Sequence, residues 1–413
     1  MRVVGIVAEF DPFHRGHEYL IRKAKELTGD PRAKAVIVMS GPFVQRGNFS
    51  ILPKHTRANQ ALSCGADLVI ELPFTFACAP SERFARGAIQ ALYKTGIVTD
   101  LAFGIDTNDP GLISELAFTE PDDASIKEHL SEGLSYPAAR AKAVASAWKE
   151  THPGASEEQI SEVLAALRFP NSVLSADYLR AVRALGAGFT IHMIKRTDEK
   201  SASDIREILY GTLSDGAQSV SKIASSLCGL LPDSSLALML EGYGKKSFSV
   251  PDRDSYMRDI ALALKTRSTE GIAYMTDGLD GFLKNAFDRN GYTDFNDACS
   301  RTLSTKHFIL PRSLRATTSL MTGQTADYIG NEKNVRYLRV LGFSPEGRYC
   351  LKVMRKCARL PILTNPSDAL SLYSSDPALR DQFELDLIAN NLQAMYMGMP
   401  HDYEWDVPPV SVK

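Results

Sequence analysis

The sequence predicts an α/β fold: a parallel sheet with helical crossovers, joined to a second, mostly α-helical domain. Three observations carry that expectation. Short apolar, β-branched runs alternate with helix-period segments as far as Ile105. The runs are bounded by Gly, Pro or Asp, as buried parallel strands are. After about Gly216 helical spacing takes over, with Gly, Pro and Asp at the turns.

In chain order, residues 3–8 form the first expected strand. Pro12 then breaks regular pairing, and Gly16 lets backbone approach another group closely. Leu20, Ile21 and Ala24 recur at helical spacing, so a helix opens near His17. Ala35–Ser40 is a second strand, ended by Gly41-Pro42, and Phe43–Asn48 is a loop with Gly47 at its turn. The helix Lys54–Ser63 places Lys54 and Arg57 near its start, where cations oppose the helix dipole and call for an anion nearby. Asp67–Leu72 and Asp100–Ile105 are the next strands; between them the helix Ser81–Thr95 turns Phe84, Ala88, Ala91 and Leu92 inward. Right-handed crossovers follow, and ligands of such sheets bind beyond the carboxyl ends of the strands. The His14–His17, Gln45–Gly47 and Gly104 segments all fall at that edge.

From about 121 to 185 the pattern is that of a helical insertion. Ser125-x-x-Glu128 and Ser156-x-x-Gln159 read as capping boxes, and Pro170-Asn171 interrupts the run. Phe189–Ile194 returns to a strand. Ser201–Arg206 then opens a helix whose serines and arginine suit the β- and γ-phosphates of a nucleotide. The expected boundary lies at 215/216, dividing a first domain, 1–215, from a second, 216–413. In the second, helices are expected at Ser219–Leu231, Asp254–Thr266, Leu279–Arg289 and Phe295–Leu303. The formal net charge of −2 conceals a block, residues 301–360, with twelve Lys and Arg against three acids, followed by an acidic tail. Interleaved aromatics make that block a candidate RNA-binding surface, with Lys306, Arg312, Arg315, Arg336 and Arg339 as its contacts.

Several classes are disfavoured. No apolar stretch reaches membrane-spanning length, and the six cysteines form no Cys-x-x-Cys pair, which suits a reducing, cytoplasmic setting. Neither His14 nor His17 has further Cys, His or carboxylate neighbours at metal-ligand spacing, so no protein metal site is expected. No activated Ser or Cys nucleophile is evident.

Strand, tight loop and helix N-terminus together suit a phosphate, because unpaired N–H groups and the helix dipole both favour anions. His14-Arg15-Gly16-His17 resembles the His-x-Gly-His signature of the nucleotidyltransferase superfamily, whose Rossmann-like domain carries out adenylyl transfer. The resemblance implies that the two imidazoles steady charge at an α-phosphate, with no covalent intermediate.

A narrower resemblance rests on Gly5–Leu20, Ser40–Gly47, Gly65–Pro73, Phe103-Gly104, Pro170-Asn171, Ile194–Arg196 and Ser201–Arg206. These segments look like bacterial tRNA(Met) cytidine acetate ligase, densely to about residue 215 and more loosely beyond. That family implies formation of acetyl-adenylate from acetate and ATP, then acetylation of N4 of the wobble cytidine of elongator tRNA(Met), giving N4-acetylcytidine. Position by position, ATP would be held by Val7, Ala8, Glu9, Phe10, Asp11, Pro12, Phe13, His14, Arg15, Gly16, His17, Glu18, Tyr19 and Leu20. Gly104, Asn171 and Arg196 would complete the pocket; Ser201 and Arg206 extend it by analogy with the wider superfamily. His14 and His17 would be catalytic, and Mg²⁺ would arrive on the phosphates. Two residues depart from the family's usual Asn-Pro-Phe-His-Asn-Gly-His: Asp11 and Arg15, the second being able to offset the first. Neither membrane nor DNA is an expected partner. The alternatives are a small-metabolite adenylyltransferase, which leaves the basic block unexplained, and a non-catalytic nucleotide- or tRNA-binding module.

Overall fold

The computed structural model describes residues 1–107, 109–197, 200–214 and 220–412. The expected boundary at 215/216 and the expected helix start at Ser219 lie outside the described residues; the helix there runs Val220–Leu227.

Among the described residues, eight strands form one mixed sheet: β1 Val3–Ala8, β2 Lys34–Ser40, β3 Leu68–Leu72, β4 Asp100–Ile105, β5 Thr190–Lys195, β6 Leu338–Phe343, β7 Ile362–Leu363 and β8 Val410–Ser411. Their order is β5-β4-β1-β2-β3-β6-β7, with β8 also paired to β6. The first five strands are mutually parallel. The sheet reverses strand order about β1, so β4 and β5 lie to one side and β2 and β3 to the other. That reversal is where an open α/β sheet leaves a crevice.

Both faces of the sheet are covered, which is why its strands read as nearly continuous apolar runs. Val3, Val36, Val38, Leu68 and Ile70 face the helices Ser81–Lys94 and Pro170–Leu185. Val4, Ile6, Ile37, Met39 and Val69 face the opposite layer, made by the helices Arg15–Leu27 and Lys54–Ser63. The expected inward stripe Phe84, Ala88, Ala91 and Leu92 is buried. Burying that many side chains at ~1.5–3 kcal/mol each sets the sheet as the rigid platform of the molecule.

The part of the chain after 216 is mostly helical but also extends the first sheet, since β6 pairs antiparallel with β3. Two expectations are corrected. Ser125 is not a cap; Asp122 caps the helix Asp123–Ser131 by accepting from the Ser125 N–H, whereas the Ser156–Gln159 box forms as expected. The anions that Lys54 calls for are the protein's own. Its ammonium lies 2.9 Å from Glu71 and 3.0 Å from Glu404, and Arg339 lies 3.1 Å from Glu404, all buried. Burial opposes charge on Lys54, but Glu404 and Glu71 outweigh it and hold the ammonium above its ordinary range. Arg57 is likewise buried and donates to the carbonyls of Leu52, Glu9, Ser40 and Gly41.

Candidate active site

The helix Arg15–Leu27 begins in an unusual way. His14 is its N-cap, and the His14 Nδ1 accepts from the Gly16 N–H at 3.1 Å. His17, three residues on, returns the bond: its Nδ1 accepts from the His14 N–H at 3.3 Å. Two imidazoles thus do what a Ser and a Glu do in an ordinary capping box. Because both Nδ1 atoms accept, the ring proton of each neutral histidine sits on Nε2. The rings lie 3.8 Å apart, with Phe10 and Phe13 packed beside His17.

The backbone donors of this turn are engaged. Arg15 N–H meets the Leu230 carbonyl, and the His17 and Glu18 N–H groups meet the His14 carbonyl. The expectation of an anion held by free N–H groups is therefore corrected. The helix dipole remains, and the donors available are the two Nε2–H groups. Both imidazoles resist protonation. Burial, reinforced by Arg196 and Arg206, pushes His14 down to about 4; burial and His14 push His17 well below its ordinary value. At neutral pH they are uncharged donors.

They open on a cavity of about 490 Å³ at the carboxyl edge of the sheet. Of the expected nucleotide residues, Val7, Ala8, Glu9, Phe10, Asp11, His14, Gly16, His17, Tyr19, Leu20, Gly104, Asn171, Arg196 and Arg206 line it. Pro12, Phe13, Arg15, Glu18 and Ser201 do not. Arg15 turns away, donating from Nε to the Gly229 carbonyl at 2.9 Å, and so does not offset Asp11. That task falls to Arg206, 3.2 Å from the Asp11 carboxylate, which also accepts the Ile51 N–H at 2.6 Å. Ser201 caps its own helix through Asp204, leaving no free hydroxyl for a phosphate. Asn171 donates to Asp106, and Arg196 lies 3.7 Å from the same carboxylate. Gly104 lies close under Arg196: a Cβ there would stand a tight 3.1 Å from the Arg196 side chain.

Arg46, in the glutamine loop expected at this edge, also lines the wall. Ser81, Phe84, Arg168, Tyr178 and Lys195 line it too and were not among the expected site residues; nothing in the insertion's sequence marks Arg168 as a cavity residue. Burial and the charge of Glu9 push the Tyr178 hydroxyl well above its ordinary range, so it faces the cavity as a neutral phenol. Glu9 is itself raised, chiefly by burial. Among the described residues, no three His, Cys, Asp or Glu side chains converge as a metal site would require.

A family model described as HIGH nucleotidyl transferase matches residues 1–404. The tRNA(Met) cytidine acetate ligase of Acetivibrio thermocellus is 30% identical over 97% of this chain and 96% of its own length. That of Syntrophomonas wolfei matches at the same identity and coverage. The chain belongs to the tRNA(Met) cytidine acetate ligase family, within the HIGH nucleotidyl transferases. As a member of this ligase family it is an enzyme. The crystal structure of Thermotoga maritima TmcAL bound with alpha-thio ATP superposes with a TM-score of 0.85 at 27% identity, covering 100% of this chain and 99% of that one. The apo form of TmcAL gives 0.86 at 26% identity, with both chains fully covered.

The candidate RNA contacts of this ligase family member are less uniform than their sequence suggested. Arg339 is fully buried against Glu404, and Arg315 is buried against the Gln45 carbonyl; neither reaches the surface. Arg312 pairs with Asp277, and Arg336 with Glu332. Lys306 is exposed and has no ion-pair partner among the described residues.

Proposed function

We propose that this chain is an ATP-dependent acetate ligase that acetylates N4 of the wobble cytidine of elongator tRNA(Met). The observation that carries the proposal is the pair of Nδ1-capped imidazoles with both Nε2–H groups free at the cavity. ATP lies along the edge of the sheet, its triphosphate over the amino end of the helix Arg15–Leu27 and its nucleoside toward Gly104, Asn171 and Arg196. An acetate oxygen attacks the α-phosphorus; the bond to the bridging oxygen breaks and pyrophosphate leaves. His14 and His17 donate to the oxygens where charge gathers, through donors already aligned before ATP arrives. The cytidine N4 then attacks the acetyl carbonyl, AMP departs with the C–O bonding pair, and N4 loses a proton. Mg²⁺ accompanies ATP, held by phosphates and water, because Glu9, Asp11 and Asp106 already accept from protein donors.

Arg168 and Lys195, with no ion-pair partner among the described residues, leave the cavity attractive to a polyanion. On the RNA side, Lys306 is the one of the five candidate contacts that is both exposed and without an ion-pair partner among the described residues. The test is incubation of the protein with ATP, labelled acetate and elongator tRNA(Met). Label retained on cytidine as N4-acetylcytidine, with one AMP per acetyl group, is expected. A dinucleotide-like product without RNA dependence, or transfer from acetyl-CoA alone, rejects the proposal.

A further inference from the structure

The cavity has two polar ends, set by the sheet order. Gly104, Asn171 and Arg196 belong to the β4–β5 side; Asn171 and Arg196 meet at Asp106, and the Arg196 side chain passes close to Gly104. Glu9, Gln45 and Arg46 belong to the ends of β1 and β2, on the other side of the histidines. A nucleotide over β4 and β5 leaves the β2 end for whatever attacks its α-phosphate.

Charge at that end is unevenly engaged. One Glu9 oxygen accepts the Gln45 N–H at 2.6 Å, and the Asp11 carboxylate is held by Arg206 and the Ile51 N–H. Arg46 is exposed to the cavity and has no hydrogen-bond or ion-pair partner among the described residues; Glu9 is the acid that feels its charge.

The backbone carrying Arg46 is nevertheless fixed from behind, by the helix Leu310–Thr322. Arg315 Nη1 donates to the Gln45 carbonyl at 3.2 Å, and Thr318 Oγ1 to the Gly47 carbonyl at 3.0 Å. Gly47 has φ +90°, and a Cβ there would stand 2.6 Å from the Arg315 nitrogen. Val44 and Gly47 close the turn with two further backbone bonds. Arg315 is buried with no carboxylate partner among the described residues, and its Nε has no hydrogen-bond partner. A buried unpaired cation is costly, and here its charge lies directly behind the turn.

From these contacts the geometry points to Arg46 as the residue that binds the carboxylate of the acid substrate, with Arg315 as the positioning residue that fixes its turn. A guanidinium fork matches two carboxylate oxygens, and a turn ordered in advance adds no ordering cost on binding. Phe84 and Tyr178 give the same cavity an aromatic wall, compatible with a small aliphatic acid. This inference rests on the acetate-ligase reading above and assigns the acid subsite within it.

The experiment measures KM for acetate, ATP and tRNA in the complete reaction with Arg46→Gln, Arg46→Lys, Arg315→Gln and Arg315→Lys, with melting curves to establish folding. For Arg46→Gln, the acetate KM is expected to rise about tenfold or more, with the ATP and tRNA values within about twofold. Arg46→Lys recovers part of the loss. Arg315→Gln raises the acetate KM with kcat nearly kept, and Arg315→Lys recovers it, which general loosening of the fold would not produce. An unchanged acetate KM in Arg46→Gln overturns the assignment while leaving the ligase reading intact. So does a rise confined to ATP or to tRNA. A wild-type chain that incorporates no acetate rejects the ligase reading and this assignment together.

Discussion

At the scale of single residues, His14 and His17 have two duties, since each closes the helix start through Nδ1 and presents Nε2–H to the cavity. His17→Ala is expected to lower acetyl transfer by about 10²–10³-fold, the usual loss for one aligned donor. Single-turnover release of AMP measures it. Asn offers a side-chain acceptor at a cap, so His14→Asn should keep more stability than His14→Ala while remaining catalytically poor; urea unfolding separates the two effects. Protonation should also weaken the fold. The folded His14 titrates at about 4 against an ordinary value near 6.5, so the unfolded chain binds more protons between those limits. Stability is full above about pH 6.5 and declines as pH falls toward 4. By pH 5 this residue alone costs about 2 kcal/mol, and urea unfolding at pH 5 and 7 gives the difference.

The motif itself was legible because its residue types and spacing carry the chemistry. What local sequence could not convey was the detail of its contacts. Asp11 read as a charge facing the polyphosphate and Arg15 as its counterweight, yet the true counterweight, Arg206, lies 195 positions away.

At the scale of elements, the first five strands were legible because burial on both faces leaves strong apolar runs. β6 was not. Its Leu-Arg-Val-Leu-Gly-Phe has strand length and apolar character, but Arg339 sits among many neighbouring cations and so read as part of a surface. A single charge inside an apolar run of strand length is the signal that was available. The partner that makes its burial tolerable, Glu404, lies 65 residues on. The turn after β2 shows the same dependence on distant contacts: a loop by sequence, it is fixed by Arg315 and Thr318 from a helix that the reading also missed. Gly47→Ala is expected to force a Cβ into the Arg315 backbone at a positive φ, costing ~1–3 kcal/mol. Chemical denaturation reports the cost, and a raised acetate KM reports the displaced turn.

For the whole molecule, the buried cluster of Lys54, Glu71, Arg339 and Glu404 joins an early helix, the adjacent strands β3 and β6 and a late 3₁₀ turn at Tyr403–Trp405. Removing Glu404 leaves Arg339 with no carboxylate and Lys54 with Glu71 alone. Glu404→Ala is expected to cost about 3–5 kcal/mol, and adding Arg339→Met should restore part of it. Equilibrium unfolding of the single and double variants makes the comparison. The same geometry takes Arg339 out of the candidate RNA contacts: the count of the basic block is correct, but this cation is structural.

The position of Glu404 also bears on how the protein is made. A ribosome delivers Arg339 65 residues before Glu404, its carboxylate partner, whereas Lys54 is followed early by Glu71. A chain truncated before residue 404 would keep Arg339 as a buried cation with no acid against it. Such a fragment is expected to open more readily to proteolysis than the full chain.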